Sequence, residues 1–207
     1  ARRFMNFTDN IAKYILITGD TNNIFTKKNK AEIDAIKYRI ERNKKKFVIL
    51  ILDSNFSDNK SAISEQFVIK EYYDNFYNKL ITLAEKHKDI FLIIKTKKNE
   101  ILKQNKKIYE KLIKLENNNS CYIVENPFRK FPYLYASISD FIVSTGSAIS
   151  SALIECVSKG KKGIFCDYPN LESLEEEIFK FKKDLIISNL KHLDEKILEF
   201  KKNPNTS

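Results

Sequence analysis

The sequence predicts an α/β fold: a parallel sheet of about six strands with helices on both faces. Three observations predict it. Continuous apolar runs recur along the chain, and Val48-Ile49-Leu50-Ile51-Leu52 and Ile90-Phe91-Leu92-Ile93-Ile94 are the clearest of them. Strands buried on both faces of a parallel sheet read this way. Stretches with apolar residues at helical spacing lie between the runs. The two patterns alternate about five times, which is the signature of βαβ units, and right-handed crossovers then cover both faces with helices.

The elements follow in order. Strands are expected at Tyr14–Thr18, Phe47–Leu52, Ile90–Ile94, Cys121–Val124, Phe141–Ser144, Gly163–Cys166 and Leu185–Ile187. Residues 20–46 are polar and lysine-rich, with a short helix at 30–42, and read with the first strand as a connector over 1–45. Residues 46–202 then form the main domain, Rossmann-like in its alternation, and the tail at 203–207 frays. Residues 65–86 place Ile69, Tyr73, Phe76, Leu80 and Leu83 on one stripe. Residues 100–116 do the same with Ile101, Ile108, Leu112 and Leu115, interrupted by Asn105. Residues 148–159, 171–182 and 191–202 complete the helices, all with core-facing stripes.

Composition narrows the function classes. The chain has 207 residues, 43% hydrophobic and 31% charged, which excludes wholesale disorder. Cys121, Cys156 and Cys166 are an odd number without CxxC spacing, so neither a disulfide framework nor a zinc ribbon is expected. Two distant histidines, His87 and His192, exclude a site with several His ligands. The net charge is +10, but the excess is nearly all lysine. A biased base composition produces that balance without functional pressure. The lysine clusters at 27–46 and 95–114 are not interleaved with aromatics, which argues against nucleic acid. The Ala1-Arg2-Arg3 start without methionine suggests a piece of a longer protein.

Ligands of a doubly wound sheet bind beyond the carboxyl ends of its strands. Asp53-Ser54-Asn55-Phe56-Ser57 is a polar loop after the second strand, a turn or a ligand-facing loop. Lys95 and Lys97 follow the third, where the sheet aims them at a ligand phosphate, within a stretch from 95 to 114 of local net charge +6. The segment from Asp140 to Glu155 is the strongest candidate. A buried strand runs into Ser144-Thr145-Gly146-Ser147, a turn of small residues, and straight on into a helix. Unpartnered N–H groups and the helix dipole favour an anion there. Ser147, Ser151 and Glu155 form a polar stripe, and Ser150 joins the hydroxyls around the turn. Plain N-capping is the competing reading of these hydroxyls. Asp167 leaves the sheet on the same edge and either binds a ligand hydroxyl or caps a helix.

Residues 140–170 carry a strand, the Ser-Thr-Gly-Ser turn, a helix with Glu155, the step Lys159-Gly160-Lys161-Lys162-Gly163-Ile164-Phe165 and a polar loop at Asp167. This segment resembles the donor-binding domain of GT-B-type glycosyltransferases, in particular bacterial polysaccharide-biosynthesis enzymes such as capsule and CDP-glycerol-type transferases. The resemblance runs from about Lys46 to Asn170. It implies one half of a GT-B architecture, with the donor diphosphate on Thr145, Gly146 and Ser147 and the ribose on Glu155. It implies transfer from a nucleotide-activated sugar or polyol, with the acceptor pocket and general base on a separate N-terminal domain. No Asp-x-Asp motif is present, so metal-independent leaving-group stabilisation is expected, with no further cofactor. A cytoplasmic location is implied, peripheral to a membrane if the acceptor is lipid-linked and the lysines meet anionic lipid. A nucleotide-sugar 2-epimerase and a non-catalytic nucleotide-binding module are the alternatives.

Overall fold

A computed structural model describes residues 27–57, 67–127, 130–146, 150–167 and 185–204. The expected strand at Tyr14–Thr18 and the helix at 171–182 lie outside the described residues. Helix α1 spans Lys27–Arg42, followed by β1 (Phe47–Leu52) and the short strands β2 (Asn55–Ser57) and β3 (Phe67–Ile69). Next come α2 (Lys70–Lys86), β4 (Ile90–Lys95), α3 (Asn99–Gln104), α4 (Lys106–Asn117) and β5 (Cys121–Ile123). The chain continues through α5 (Pro132–Ala136), β6 (Phe141–Gly146), α6 (Ser151–Ser158), β7 (Gly163–Asp167), β8 (Leu185–Ser188), a 3-10 turn (Leu190–His192) and α7 (Leu193–Lys202).

The main sheet has six parallel strands in the order β5-β4-β1-β6-β7-β8. From β1 the chain steps outward to β4 and β5, returns across β1, and steps outward again through β6, β7 and β8. The direction of winding reverses between β1 and β6, so this is the Rossmann-like order with its switch point at that junction.

Continuous apolar runs form the centre because both of their faces are covered. All six residues of β1 are buried. Phe47, Ile49 and Ile51 face one core with the apolar stripes of α2, α3, α4 and α7. Val48, Leu50 and Leu52 face the other with α1, α5 and α6. Residues 27–42, read from the sequence as connector with a short helix, form a full helix whose Ile33 and Ile36 enter this second core.

Two local departures from the sequence reading have clear causes. Phe67–Ile69 was expected as the start of a helix, but it pairs in parallel with Asn55–Ser57, and the helix begins at Lys70. The stripe at 100–116 is broken into α3 and α4 at Asn105. That residue is buried and its side-chain amide donates to Asp74 on α2. A buried amide needs a partner, and this one finds it across the helix interface. Gly163 opens β7 under α6, where an added Cβ would lie 3.0 Å from Leu153 Cδ1 and 3.2 Å from the Ile142 carbonyl. Among the described residues no helix is long and apolar enough to cross a membrane.

Candidate functional site

The register of the central strands sets the site. Leu52, at the end of β1, pairs with Lys95 on one side and Ser144 on the other. Beyond these ends, a cleft of about 500 Å³ is lined by Lys95, Lys97, Lys130, Ser151 and Glu155, with an apolar wall of Pro127, Phe131 and Pro132. Loops after β4 and β5 supply one wall and the first turns of α6 the other. Four of the residues singled out in the sequence, Lys95, Lys97, Ser151 and Glu155, meet here.

The cleft holds three ammonium groups and one carboxylate. Lys130 is paired with Glu32 of α1, which also accepts hydrogen bonds from Tyr135 at 2.7 Å and Tyr122 at 3.2 Å. Glu155 lies 3.9 Å from Lys159 one helical turn on, and that ammonium sits 4.0 Å over the Tyr133 ring. Among the described residues no carboxylate approaches Lys95 to ion-pair distance. Burial holds its pKa below the usual lysine range, opposed by the fields of Asp53, Cys156 and Glu155. The outward face of the cleft is therefore cationic and suited to an anion.

Asp53, directly after β1, is the residue that sequence reasoning underrated. Its Oδ2 accepts from the hydroxyls of Tyr77 at 2.7 Å and Tyr73 at 2.9 Å, both buried on α2. Its Oδ1 accepts from the Lys97 amide at 3.0 Å. Desolvation pushes the carboxyl up to about 6, against these three hydrogen bonds and the nearby Lys95 charge. Next to it, Ser54 Oγ donates to the Thr145 carbonyl at 2.9 Å. Residues 53 and 54 thus tie the ends of β4, β1 and β6 together across the switch point. The available signal was an acidic residue ending an unbroken apolar strand.

The structure treats the expected turn differently from the sequence. Strand β6 continues to Gly146 rather than ending at Ser144. Ser144 is buried within it, its Oγ 3.5 Å from Ser150 Oγ. Thr145 is buried and donates to the Cys166 carbonyl at 3.1 Å. Gly146 pairs with Asp167 at the end of β7. These residues do not line the cleft: β1 and β7 both pair with Ser144, β7 pairs with Thr145 and Gly146, and internal partners take the two hydroxyls. Ser150 is the N-cap of α6, its Oγ accepting from the Leu153 amide at 3.2 Å, so capping describes it. Ser147, Arg129 and Tyr168 lie outside the described residues.

Other reactive groups are committed elsewhere. All three cysteines are buried and outside any disulfide, and burial pushes the Cys156 thiol up to about 12. Among the described residues no cluster of His, Cys, Asp or Glu has metal-holding geometry. A larger hollow of about 750 Å³ lies between α2 and α7, but helical side chains wall it, and its Lys79 is paired with Asp194 at 2.9 Å. Its residues next to a strand end, Asn189 and Leu190, follow the edge strand β8 and lie away from the β1/β6 switch point, where ligands of this topology bind. No family model and no curated protein matches the chain.

Proposed function

We propose that this chain is the nucleotide-donor-binding domain of a GT-B-type glycosyltransferase, transferring a sugar from a nucleoside diphosphate sugar or a polyol phosphate from a nucleoside diphosphate polyol. The observation that carries the reading is the cationic cleft at the carboxyl edge, where Lys95, Lys97, Ser151 and Glu155 converge beside the switch point. The sequence resemblance over about 46–170 supplies the class of donor. As the donor bond breaks, negative charge grows on the phosphate of the leaving nucleotide. Lys95 and Lys97 offset that charge, and the Ser151 hydroxyl donates to a phosphate oxygen. Glu155 accepts from a sugar hydroxyl. The acceptor and the general base come from a separate domain.

The test is a thermal-shift and calorimetric screen of the chain against UDP, CDP and GDP. A nucleotide at one hundred times its dissociation constant adds about 2.7 kcal/mol of stability. The expected result is such a gain with one of the three, abolished in Lys95→Gln and weakened in Ser151→Ala. Stability unmoved by all three sinks the reading.

A further inference from the structure

We propose that Asp53 is an internal carboxylate that competes with the ligand anion for Lys95 and the Lys97 amide, so that anion binding in the cleft is coupled to uptake of a proton by Asp53. The inference rests on the anion-binding part of the reading above and not on the identity of the nucleotide. Three observations carry it. Lys95 and Lys97 both line the cleft. The backbone N–H of Lys97 is at the same time the donor to Asp53 Oδ1. The field of the Asp53 carboxylate acts on the Lys95 ammonium without touching it.

The groups facing Asp53 define its chemistry. From α2 come the hydroxyls of Tyr73 and Tyr77, both held protonated by burial and by the carboxylate itself. Asp74, also on α2, acts on Tyr73 but is bound to Lys70 and Asn105. From the end of β4 come the Lys95 ammonium and the Lys97 amide. On β6, Ser144 pairs with Leu52, the residue before Asp53, and carries no charge. No ammonium lies within ion-pair distance of Asp53 among the described residues. Three neutral donors leave the carboxyl with a pKa of about 6, where a nearby charge shifts its proton balance measurably.

An anion beside Lys95 adds negative charge near Asp53 and raises its proton affinity. In the reverse direction, a neutral Asp53 no longer draws on the Lys95 charge and accepts more weakly from the Lys97 N–H, which favours the anion. Thermodynamic reciprocity makes the two effects equal.

Inorganic sulfate is the probe, because its own charge is constant above about pH 3, unlike that of a phosphate. Binding is followed through the Lys95 and Lys97 amide resonances of the labelled chain. The expected result is sulfate affinity about fivefold higher at about pH 5 than at about pH 7.5, with the ratio collapsing toward one in Asp53→Asn. Calorimetry of the wild-type chain near pH 6, in buffers of different ionisation enthalpy, is expected to register proton uptake, and this stands even if the variant fails to fold. Equal pH ratios in the two chains, absence of proton uptake, or absence of sulfate binding each overturn the inference. Nucleoside diphosphate binding without proton linkage would leave the donor-domain reading intact while this inference fell. Proton-linked sulfate binding without nucleotide binding would do the reverse.

Discussion

Two carboxylates in this molecule each accept two tyrosine hydroxyls, and only one of them also holds an ammonium. On one side of the sheet, Glu32 binds Tyr122, Tyr135 and Lys130. On the other, Asp53 binds Tyr73, Tyr77 and a backbone amide. A full charge offsets the loss of water around a carboxylate more completely than neutral dipoles do. Glu32 and Lys130, with side chains 18% and 14% exposed, therefore form a pin that joins α1 to α5 and β5. Asp53 has comparable hydrogen bonding without the countercharge, and its carboxyl is displaced to about 6. Similar partners thus make a structural clamp in one place and a titratable group beside the cleft in the other.

The largest effect is expected from breaking the clamp. Glu32→Ala leaves Lys130 without its counterion and two hydroxyls without an acceptor. A loss of about 3 kcal/mol in urea denaturation is expected. Adding Lys130→Met should recover part of it, because the stranded charge is then gone.

The next effect depends on pH. The folded-state value of Asp53, about 6, lies above its ordinary value of 3.8, so ionisation works against the fold. That penalty is absent below about pH 4, grows as pH rises and is complete above about pH 6. The stability of the wild type relative to Asp53→Asn should therefore fall by about 3 kcal/mol across that window. A difference that rises with pH would reverse the assignment.

Tyr77→Phe removes one donor from the ionised carboxylate. It should lower stability by about 1 kcal/mol at about pH 8, with a smaller loss at about pH 5, and move the Asp53 midpoint upward. The smallest effect separates two neighbouring serines of α6. Ser150→Ala should cost about 1 kcal/mol through the lost cap and leave nucleotide affinity unchanged. Ser151→Ala, at an exposed position in the cleft, should weaken nucleotide binding and leave the melting temperature within error.

Much of the fold was legible. Each expected strand from Phe47 onward is present within two residues of its expected end. The helical stripes are largely core: Tyr73, Phe76, Leu80 and Leu83 are buried as their spacing required, whereas Ile69 lies in β3 and Ile101 is half-buried. Of the cleft, Lys95, Lys97, Ser151 and Glu155 were legible from their places after a strand and along a helix. Ser144 and Thr145 were misread as an open turn because small hydroxyl residues look alike in a loop and in a crowded strand. Nothing local records that β1 and β7 flank Ser144 on both sides and that β7 pairs with Thr145. Asp53 looked like an ordinary turn residue because its partners lie 20, 24 and 44 positions away.

Local periodicity and apolar runs, which act within a few residues, were enough to determine an α/β chain with parallel strands and two covered faces. The order of those strands was a tertiary decision. Placing β6 beside β1 brings the Lys95 end of β4 and the first turn of α6 to opposite walls of one cleft. Tertiary structure also chose which polar groups face solvent and which lose it. Ser144 and Thr145 went inward to internal partners, and Asp53 turned onto two tyrosines. Lys95 and Lys97 were left at the cleft, because desolvating a polar group is tolerable only where a partner waits and position in the assembled sheet alone supplies one.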